Sequence, residues 1–188
     1  YFCATAANLR LSMFLPQIIK QQGFAGMEIG FIAAIPYVVG CVGMISIGFL
    51  SDRFNKRKIF LIAALLLVAG WLGTAGWLTG SNLAIIAMWV ATVGIMGCKG
   101  PFWPLPALYL SGTSAAAGIA LINSVGNLGG FFGLGIVGMA KNMTGNFESG
   151  LYVLSGMALF AVVLTLVFIS DKGRAPKKQP TADAMVRT

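Results

Sequence analysis

Long apolar segments separated by short polar ones make up most of this sequence. The apolar segments comprise residues 1–19, 29–50 and 59–78, a segment that starts near residue 83, one that ends at about residue 140, and residues 151–169. An apolar segment of about 20 residues crosses a hydrocarbon core of about 30 Å as a helix. The pattern therefore predicts an all-α integral membrane protein in which residues 1–170 form a bundle of six transmembrane helices.

The composition agrees with this pattern and narrows the possible functions. Of the 188 residues, 57% are hydrophobic and only 10% are charged, with a mean hydropathy of +0.85, whereas soluble domains have roughly 25% charged residues. The net charge of +8 does not indicate nucleic-acid binding, because the cations are concentrated in loops and in the tail. Three isolated cysteines and no histidine predict neither a disulfide nor a zinc site, and no cofactor is expected.

A basic segment between the second and third apolar segments predicts the orientation in the membrane. Its cations are Arg53, Lys56, Arg57 and Lys58, and its one anion is Asp52. Short basic loops stay on the cytoplasmic side, and six spans place both ends on the same side. We therefore expect a multi-pass protein of the inner or plasma membrane with both ends cytoplasmic. Residues 171–188 are polar and lack apolar periodicity, which predicts a disordered basic tail held near anionic lipid.

The fourth apolar segment contains the sequence Lys99-Gly-Pro-Phe-Trp-Pro-Leu-Pro106. Three prolines in six residues cannot all lie in an unbroken helix, because proline lacks an N–H group and its ring clashes with the preceding turn. We therefore predict a bent or broken helix towards the end of this segment. Lys99 and Trp103 are four residues apart and project from one face. Because Lys99 lies far from both ends of the span, a water-filled cavity or a bound anion explains it better than snorkelling to the surface.

Few polar side chains occur inside the other segments, where each is costly unless it faces the bundle interior or an aqueous cavity. In the fifth segment Asn123 and Asn127 are four residues apart on one face, which Gly130 continues. They either line a cavity or bond between helices. Three polar residues also share one face of the first segment: Thr5, Asn8 and Ser12. Arg10 lies on the opposite side of this segment. Glycines spaced three or four residues apart in the fourth and fifth segments predict close helix packing.

The basic segment reads Gly-Phe-Leu-Ser-Asp-Arg-Phe-Asn-Lys-Arg-Lys from residue 48, and it resembles the loop signature of the major facilitator superfamily of secondary transporters. The resemblance implies a twelve-helix fold, of which this chain is half, and a gating loop. In that loop Gly48 lets two helices approach closely, and Asp52 joins Arg53 and Arg57 in holding helix ends together. Asn55 stands where the family usually has Gly, and Asn tolerates left-handed backbone. The alternative is a solvated basic loop of an unrelated membrane protein.

Further stretches are similar to the anion:cation symporter family of that superfamily, which includes permeases for tartrate, sugar acids and phthalate. They are residues 14–17, 34–37, 99–106, 111–113 and 118–130. This resemblance covers nearly the whole chain and implies that the six spans are helices seven to twelve, with the homologous first half missing. It also implies that Trp103 and Asn123 contact the hydroxyls and carboxylate of the substrate. Gly100 falls where some members carry a hydroxyl-bearing residue.

The leading hypothesis is the C-terminal half of a secondary active transporter, a proton-coupled symporter of hydroxy, sugar or aromatic acids that works by alternating access. Its partners would be a small organic anion, the proton, the lipid bilayer and the N-terminal half of the same transporter. That half is expected to hold the coupling carboxylate, because no acidic residue lies within the predicted spans. The candidate substrate-binding residues are Trp103, Asn123, Asn127, Lys99 and Asn8.

Two other classes of protein fit the sequence less well. A membrane enzyme would need catalytic groups, but the chain has no histidine and its carboxylates lie at the ends of spans, at Glu28, Asp52, Glu148 and Asp171. The other alternative is an uncoupled membrane pore or a structural membrane subunit. The sequence shows no ring of charged residues and no filter-like loop of the kind that a pore would use. The predicted broken helix is typical of a transporter.

Overall fold

The structure, a computed structural model, describes residues 1–110 and 112–169, apart from the side chains of Leu108, Lys141 and Phe147. The predicted tail, residues 171–188, lies outside the described residues. The described part is helical, which confirms the all-α prediction. Its helices are α1 (Phe2–Gln21), α2 (Met27–Arg53), α3 (Arg57–Trp77), α4 (Leu83–Gly97), α5 (Lys99–Phe102), α6 (Pro104–Tyr109), α7 (Thr113–Thr144) and α8 (Phe147–Phe168).

Five helical segments in the described ranges are long and apolar enough to cross a membrane. They are Met27–Arg53, Arg57–Trp77, Leu83–Ala107, Thr113–Thr144 and Glu148–Phe168. The sixth predicted span is α1, whose 20 residues are sufficient in length. Its polar residues Asn8, Arg10 and Gln17 make it less apolar than the other five.

The turn between α2 and α3 is shorter than the apolar pattern predicted. Asp52 and Arg53 end α2, and Arg57 begins α3, so only residues 54–56 form the turn. Asn55 has a φ of 52°, in the left-handed region that Asn tolerates better than most residues. This confirms the expected turn conformation and brings the two ends of the basic segment together.

The fourth span is broken where the prolines predicted it. It consists of α4, α5 and α6, with Cys98 and Trp103 between the pieces. Each proline lacks the N–H group that would bond the carbonyl four residues earlier, so the hydrogen-bond ladder is interrupted. Cys98 and Trp103 keep right-handed helical backbone angles, with φ of −67° and −62°. The chain therefore continues in the same direction through the break.

The small residues after the fourth span form a helix from Thr113 onwards. Helix α7 begins at Thr113 and extends to Thr144, four residues past the predicted end. The reason is helix propensity: Ala115, Ala116 and Ala117 favour helix more than any other residue type. The loop before α7 is thus short.

The core lies between α1, α3, α4 and α8. Its largest fully buried side chains include Leu11, Phe14 and Leu15 of α1, Leu72 of α3, Met88 and Ile95 of α4, and Leu151 and Leu154 of α8. Helix α3 packs against both α4 and α8, while α2 packs against α4 and α5, and α7 against α1 and α8. We call the side formed by α3 and α8 the back of the bundle. We call the side formed by α1, with α2 and α7 on either side of it, the front.

Glycines bring α1 and α7 into close contact. A Cβ atom added at Gly126 would collide with the ring of Tyr1, and one added at Gly133 would collide with Ala6. At Gly129 the obstacle is the carbonyl oxygen of Phe2. These positions confirm the close helix packing that the glycine spacing predicted.

Candidate functional site

Asn123 and Asn127 lie beside the part of α7 that contacts α1. Both side chains are exposed, and neither has a hydrogen bond to another residue that the structure describes. At about 100° per residue, the exposed apolar side chains Leu121, Leu128 and Phe132 project about 140° to 180° away from Asn123. Asn123 therefore lies opposite these three side chains, and the alternative of an interhelical hydrogen bond within the described residues does not apply.

Gly130 continues the face of the two asparagines, as the sequence analysis expected, because the seven residues from Asn123 to Gly130 span about two helical turns. It is buried, and a Cβ atom there would collide with Leu9 and lie 3.7 Å from Thr5. Gly130 therefore belongs to the contact with α1, which needs a residue without a side chain at this position. The asparagine face thus leads into the contact with α1.

Trp103 meets α1 through an aromatic cluster. Its ring contacts Tyr1 edge-on, with 5.0 Å between the ring centroids, and Phe102 stacks on Tyr1 at 5.4 Å. The ring of Tyr1 also packs on Gly126 of α7, one turn from Asn123 and adjacent to Asn127. Tyr1 thus joins the turn that carries Trp103 to the turn that carries the asparagines.

The ammonium group of Lys99 reaches towards the middle of the bundle. Gly100, its neighbour, packs on Gly48 near the end of α2, so the Lys99 backbone lies close to the basic turn. Its Nζ, however, lies 3.8 Å from Sδ of Met96, one turn back along the chain. The Cγ of Met96 lies 2.9 Å from a Cβ added at Gly40, which is the midpoint of α2. Within residues 1–110 and 112–169 no carboxylate pairs with Lys99.

A cavity of about 290 Å³ lies behind Lys99, between α1, α3, α5 and α8. Its walls are mainly apolar and include Leu61, Leu65, Phe102 and Phe168. Lys99 borders this cavity, but its ammonium group lies on the Met96 side, towards α2. The mainly apolar walls of the cavity offer little to a carboxylate.

Asn8 and Ser12 lie on α1 one turn apart, and the structure adds a residue that the sequence analysis did not single out. The Ser12 hydroxyl donates to the carbonyl oxygen of Asn8 at 2.8 Å and also bonds the hydroxyl of Tyr37 on α2. All three residues are partly buried. Tyr37 had been noted only as part of a motif, although a tyrosine inside an apolar span needs a partner for its hydroxyl.

Arg10 lies away from these residues, as the sequence predicted. Its guanidinium lies 4.5 Å above the ring of Phe14, an arrangement that stabilises a cation next to an aromatic face. The guanidinium lies beside Gly138 of α7, where an added Cβ atom would be 3.6 Å from it. Its Nε is buried without a hydrogen-bond partner in the described ranges.

Among the described residues, an ion pair and a bond to a helix end hold the predicted gating loop. Arg57 donates to Oδ1 of Asp52 from Nε at 3.0 Å and from Nη2 at 2.9 Å, which ties the end of α2 to the start of α3. Lys58 donates to the carbonyl oxygen of Leu166 at 2.9 Å, so a cation meets the negative end of α8. Arg53 is exposed and has no ion pair with a residue in the described part of the chain.

Comparison with protein families shows to which family the chain with these residues belongs. Residues 1–187 match the family model of the Major Facilitator Superfamily. The chain belongs to that superfamily. It is therefore a multi-pass membrane protein of a transporter family, and not an enzyme.

Several curated members of the superfamily are similar to the chain over most of its length. A putative tartrate transporter of Agrobacterium vitis is 41% identical over 93% of this chain and 39% of its own length. A quinolone resistance transporter of Acinetobacter baumannii is 41% identical over 89% of the chain and 39% of its own length. The inner membrane transport protein RhmT of Escherichia coli is 32% identical over 88% of the chain and 39% of its own length.

The chain thus spans about two fifths of the length of these relatives. Relatives with more distant sequences include a 4-hydroxybenzoate transporter of Pseudomonas aeruginosa and a probable galactarate/D-glucarate transporter of Bacillus subtilis. The superfamily resemblance drawn from the loop motif is therefore confirmed, as is the similarity to organic-anion permeases. No solved structure gives a significant match to the chain.

Proposed function

We propose that this chain is the C-terminal half, helices seven to twelve, of a secondary transporter that moves a small organic anion by alternating access. The observation that carries the proposal is Lys99: a partly buried cation at the broken helix, without a carboxylate partner in the described ranges. A cation at such depth is costly unless an anion or water accompanies it. A substrate carboxylate supplies that anion.

The names of the relatives support an anionic substrate, because they include transporters of tartrate, of 4-hydroxybenzoate and of sugar diacids. We propose that Lys99 binds a carboxylate of the substrate and that Trp103, Asn123, Asn127 and Asn8 surround the rest of it. Proton coupling belongs to the same proposal. The acidic residues of the described part lie at helix ends or in the basic turn, so the coupling carboxylate is placed in the other half.

We further propose that the turn between α2 and α3 lies in the cytoplasm, together with both ends of the protein, in the inner or plasma membrane. The support is the cluster of cations at this end of the bundle, in Arg53, Lys56, Arg57 and Lys58. Short basic loops of this kind are retained on the cytoplasmic side.

The experiment that tests the proposal is counterflow in proteoliposomes that contain the complete protein. Vesicles preloaded with unlabelled tartrate, D-glucarate or 4-hydroxybenzoate are diluted into a trace of the same labelled acid, and transient accumulation of label is measured. Transient overshoot identifies a carrier, whereas a pore gives none. Acceleration of uptake by an inward proton gradient tests the coupling. Absence of overshoot with every acid would refute the proposed function.

A second candidate function is export of an aromatic drug, and one relative favours it: the quinolone resistance transporter is as similar to this chain as the tartrate relative. The same vesicles distinguish the two functions. A quinolone that inhibits uptake of labelled tartrate and itself shows counterflow would favour export. Tartrate counterflow that is insensitive to a quinolone would favour the organic anion.

Asn123→Ala is expected to weaken binding of the anion while the protein still reaches the membrane. One hydrogen bond to a carboxylate contributes about 1.5 kcal/mol, so the dissociation constant should rise roughly tenfold. Asn127→Ala should show a smaller effect. Asn82→Ala is the matched control, because Asn82 is exposed just before α4. Unchanged affinity combined with loss of protein from the membrane would show that Asn123 serves packing instead.

Asp52→Asn is expected to change the balance between inward-open and outward-open states more than it changes stability. The pair with Arg57 is exposed, at 57% for the Asp52 side chain, and exposed pairs contribute about 0 to 1 kcal/mol to folding. Accessibility of a cysteine introduced at Asn123, measured from each side of the membrane, reports the balance. Glu148→Gln, at the start of α8, is the control. Identical accessibility and transport rate in Asp52→Asn and the parent would contradict the gating role.

A further inference from the structure

The hydrogen bond between Ser12 and Tyr37 joins α1 to α2 in the middle of the bundle. Ser12 lies nine residues before the end of α1, and Tyr37 lies ten residues after the start of α2. At 1.5 Å per residue, both side chains lie about 14 to 15 Å from those helix ends. That distance is half of a hydrocarbon core of about 30 Å, so two helices independently place the pair at the midplane.

The positions of the protons in this pair follow from the second bond of Ser12. Its hydroxyl has one proton, which it donates to the carbonyl oxygen of Asn8 at 2.8 Å. Ser12 must therefore accept in its bond with Tyr37, and Tyr37 must donate. The phenolic oxygen of Tyr37 then has no proton to offer a ligand, but it keeps a lone pair that can accept one.

The side chain of Lys99 also meets the middle of α2, through Met96. Lys99 Nζ is 3.8 Å from Met96 Sδ, and Met96 packs on Gly40. Gly40 is one turn further along α2 than Tyr37, a rise of about 4.5 Å. A donor for carboxylates and an acceptor for hydroxyls are therefore both associated with the middle part of α2.

We infer that Tyr37 accepts a hydrogen bond from a hydroxyl group of the substrate, and that the site thereby prefers hydroxylated carboxylates over the same acids without hydroxyls. A carboxylate oxygen has no proton and is repelled by the lone pair of Tyr37. A deoxy analogue leaves that lone pair without a partner in a water-poor site, which is where discrimination by a missing hydroxyl is strongest. This inference rests on the proposed function, since it assumes an organic anion held by Lys99.

The test compares tartrate with succinate, its analogue without hydroxyls, in the complete protein in proteoliposomes. For Tyr37→Phe we expect the half-saturation concentration for tartrate to rise roughly tenfold, as for loss of one hydrogen bond, and that for succinate to stay within about twofold. Tyr152→Phe is the matched control: Tyr152 is exposed on α8, at the back, with its ring beside Gly76. It should leave both values unchanged.

Ser12→Ala provides a second test, whose expected result would not occur if the bond between Ser12 and Tyr37 only stabilised the packing of α1 on α2. Without Ser12 the proton of Tyr37 becomes available to a carboxylate, so affinity for succinate should improve and the preference for tartrate should fall. If Tyr37→Phe raised the half-saturation concentrations for tartrate and succinate equally, the inference would be overturned and the proposed transporter function would stand. If Tyr37→Phe does not reach the membrane, an unchanged preference in Ser12→Ala overturns it. Transport of neither acid by the parent, with counterflow of other anions, would overturn it too, and no counterflow at all would refute the proposed function itself.

Discussion

Gly100→Ala is expected to reduce transport at least tenfold. A Cβ atom at this position would lie 2.9 Å from Cα of Gly48, 3.0 Å from the carbonyl oxygen of Met44 and 3.1 Å from the nitrogen of Gly48. All three obstacles are backbone atoms and cannot rotate away. Overpacking of this kind costs about 1 to 3 kcal/mol, so α2 and α5 must move apart. Lys99 and Trp103, on either side of the contact, would move with α5.

Initial uptake of the labelled anion and the amount of protein in the membrane measure this effect together. Gly156→Ala and Gly70→Ala are matched controls, because both glycines lie inside helices and a Cβ there would have no neighbour within 4 Å. Either control should insert at least as well as the parent, since Ala favours helix over Gly by about 1 kcal/mol. Uptake by Gly100→Ala equal to that of the two controls would show that the contact between α2 and α5 is not needed for transport.

The contact between Gly48 and Gly100 also bears on the family comparison. Some members of the anion:cation symporter family carry a hydroxyl-bearing residue at the position of Gly100. In this chain such a side chain would meet the backbone of α2. Gly100 therefore serves packing in this chain.

Most of the fold could be predicted from the sequence because membrane spans follow from length and apolarity alone. The errors lie at the helix ends, where a helix continues into polar residues that the apolar pattern assigns to a loop. Asp52 and Arg53 extend α2 because a charged side chain at the end of a span can reach the aqueous boundary. The small polar residues around Thr113 do not delay the start of α7, because the alanines after it are strong helix formers. The break in the fourth span was predictable because proline removes a specific hydrogen bond.

Less of the candidate site could be predicted, because its residues come from four helices. The spacing of Asn123, Asn127 and Gly130 showed that they share a face, but not that Gly130 contacts α1. The contact of Met96, the neighbour of Lys99, with Gly40 depends on where α4 meets α2, which spacing within one helix cannot show. Tyr37 was missed for the same reason: its partner Ser12 is 25 residues earlier in the chain. Only the packing of α1 against α2 brings the pair together.

Lys99→Gln is expected to insert at least as well as the parent and to bind the anion about a hundredfold more weakly. Insertion should not suffer, because a cation at this depth costs about 2.5 to 3.5 kcal/mol even on the lenient scale and no carboxylate among the described residues loses its partner. Binding should suffer, because a hydrogen bond between charged groups contributes up to about 3 kcal/mol, which corresponds to roughly a hundredfold in affinity. Lys99→Arg should keep part of the binding, since it keeps the charge.

A cysteine at this position gives the direct measurement. With Cys3, Cys41 and Cys98 replaced, Lys99→Cys should react with a membrane-impermeant thiol reagent from one side, and the anion should slow the reaction. Lys20→Gln is the control for charge alone, because Lys20 is exposed in the last turn of α1 and far from the break. It should bind the anion as the parent does. Full transport by Lys99→Leu, together with no labelling of Lys99→Cys from either side, would show that Lys99 does not face the transport pathway. Its charge would then be satisfied by a group in the other half, and the anion would be held by Asn123 and Trp103 without it.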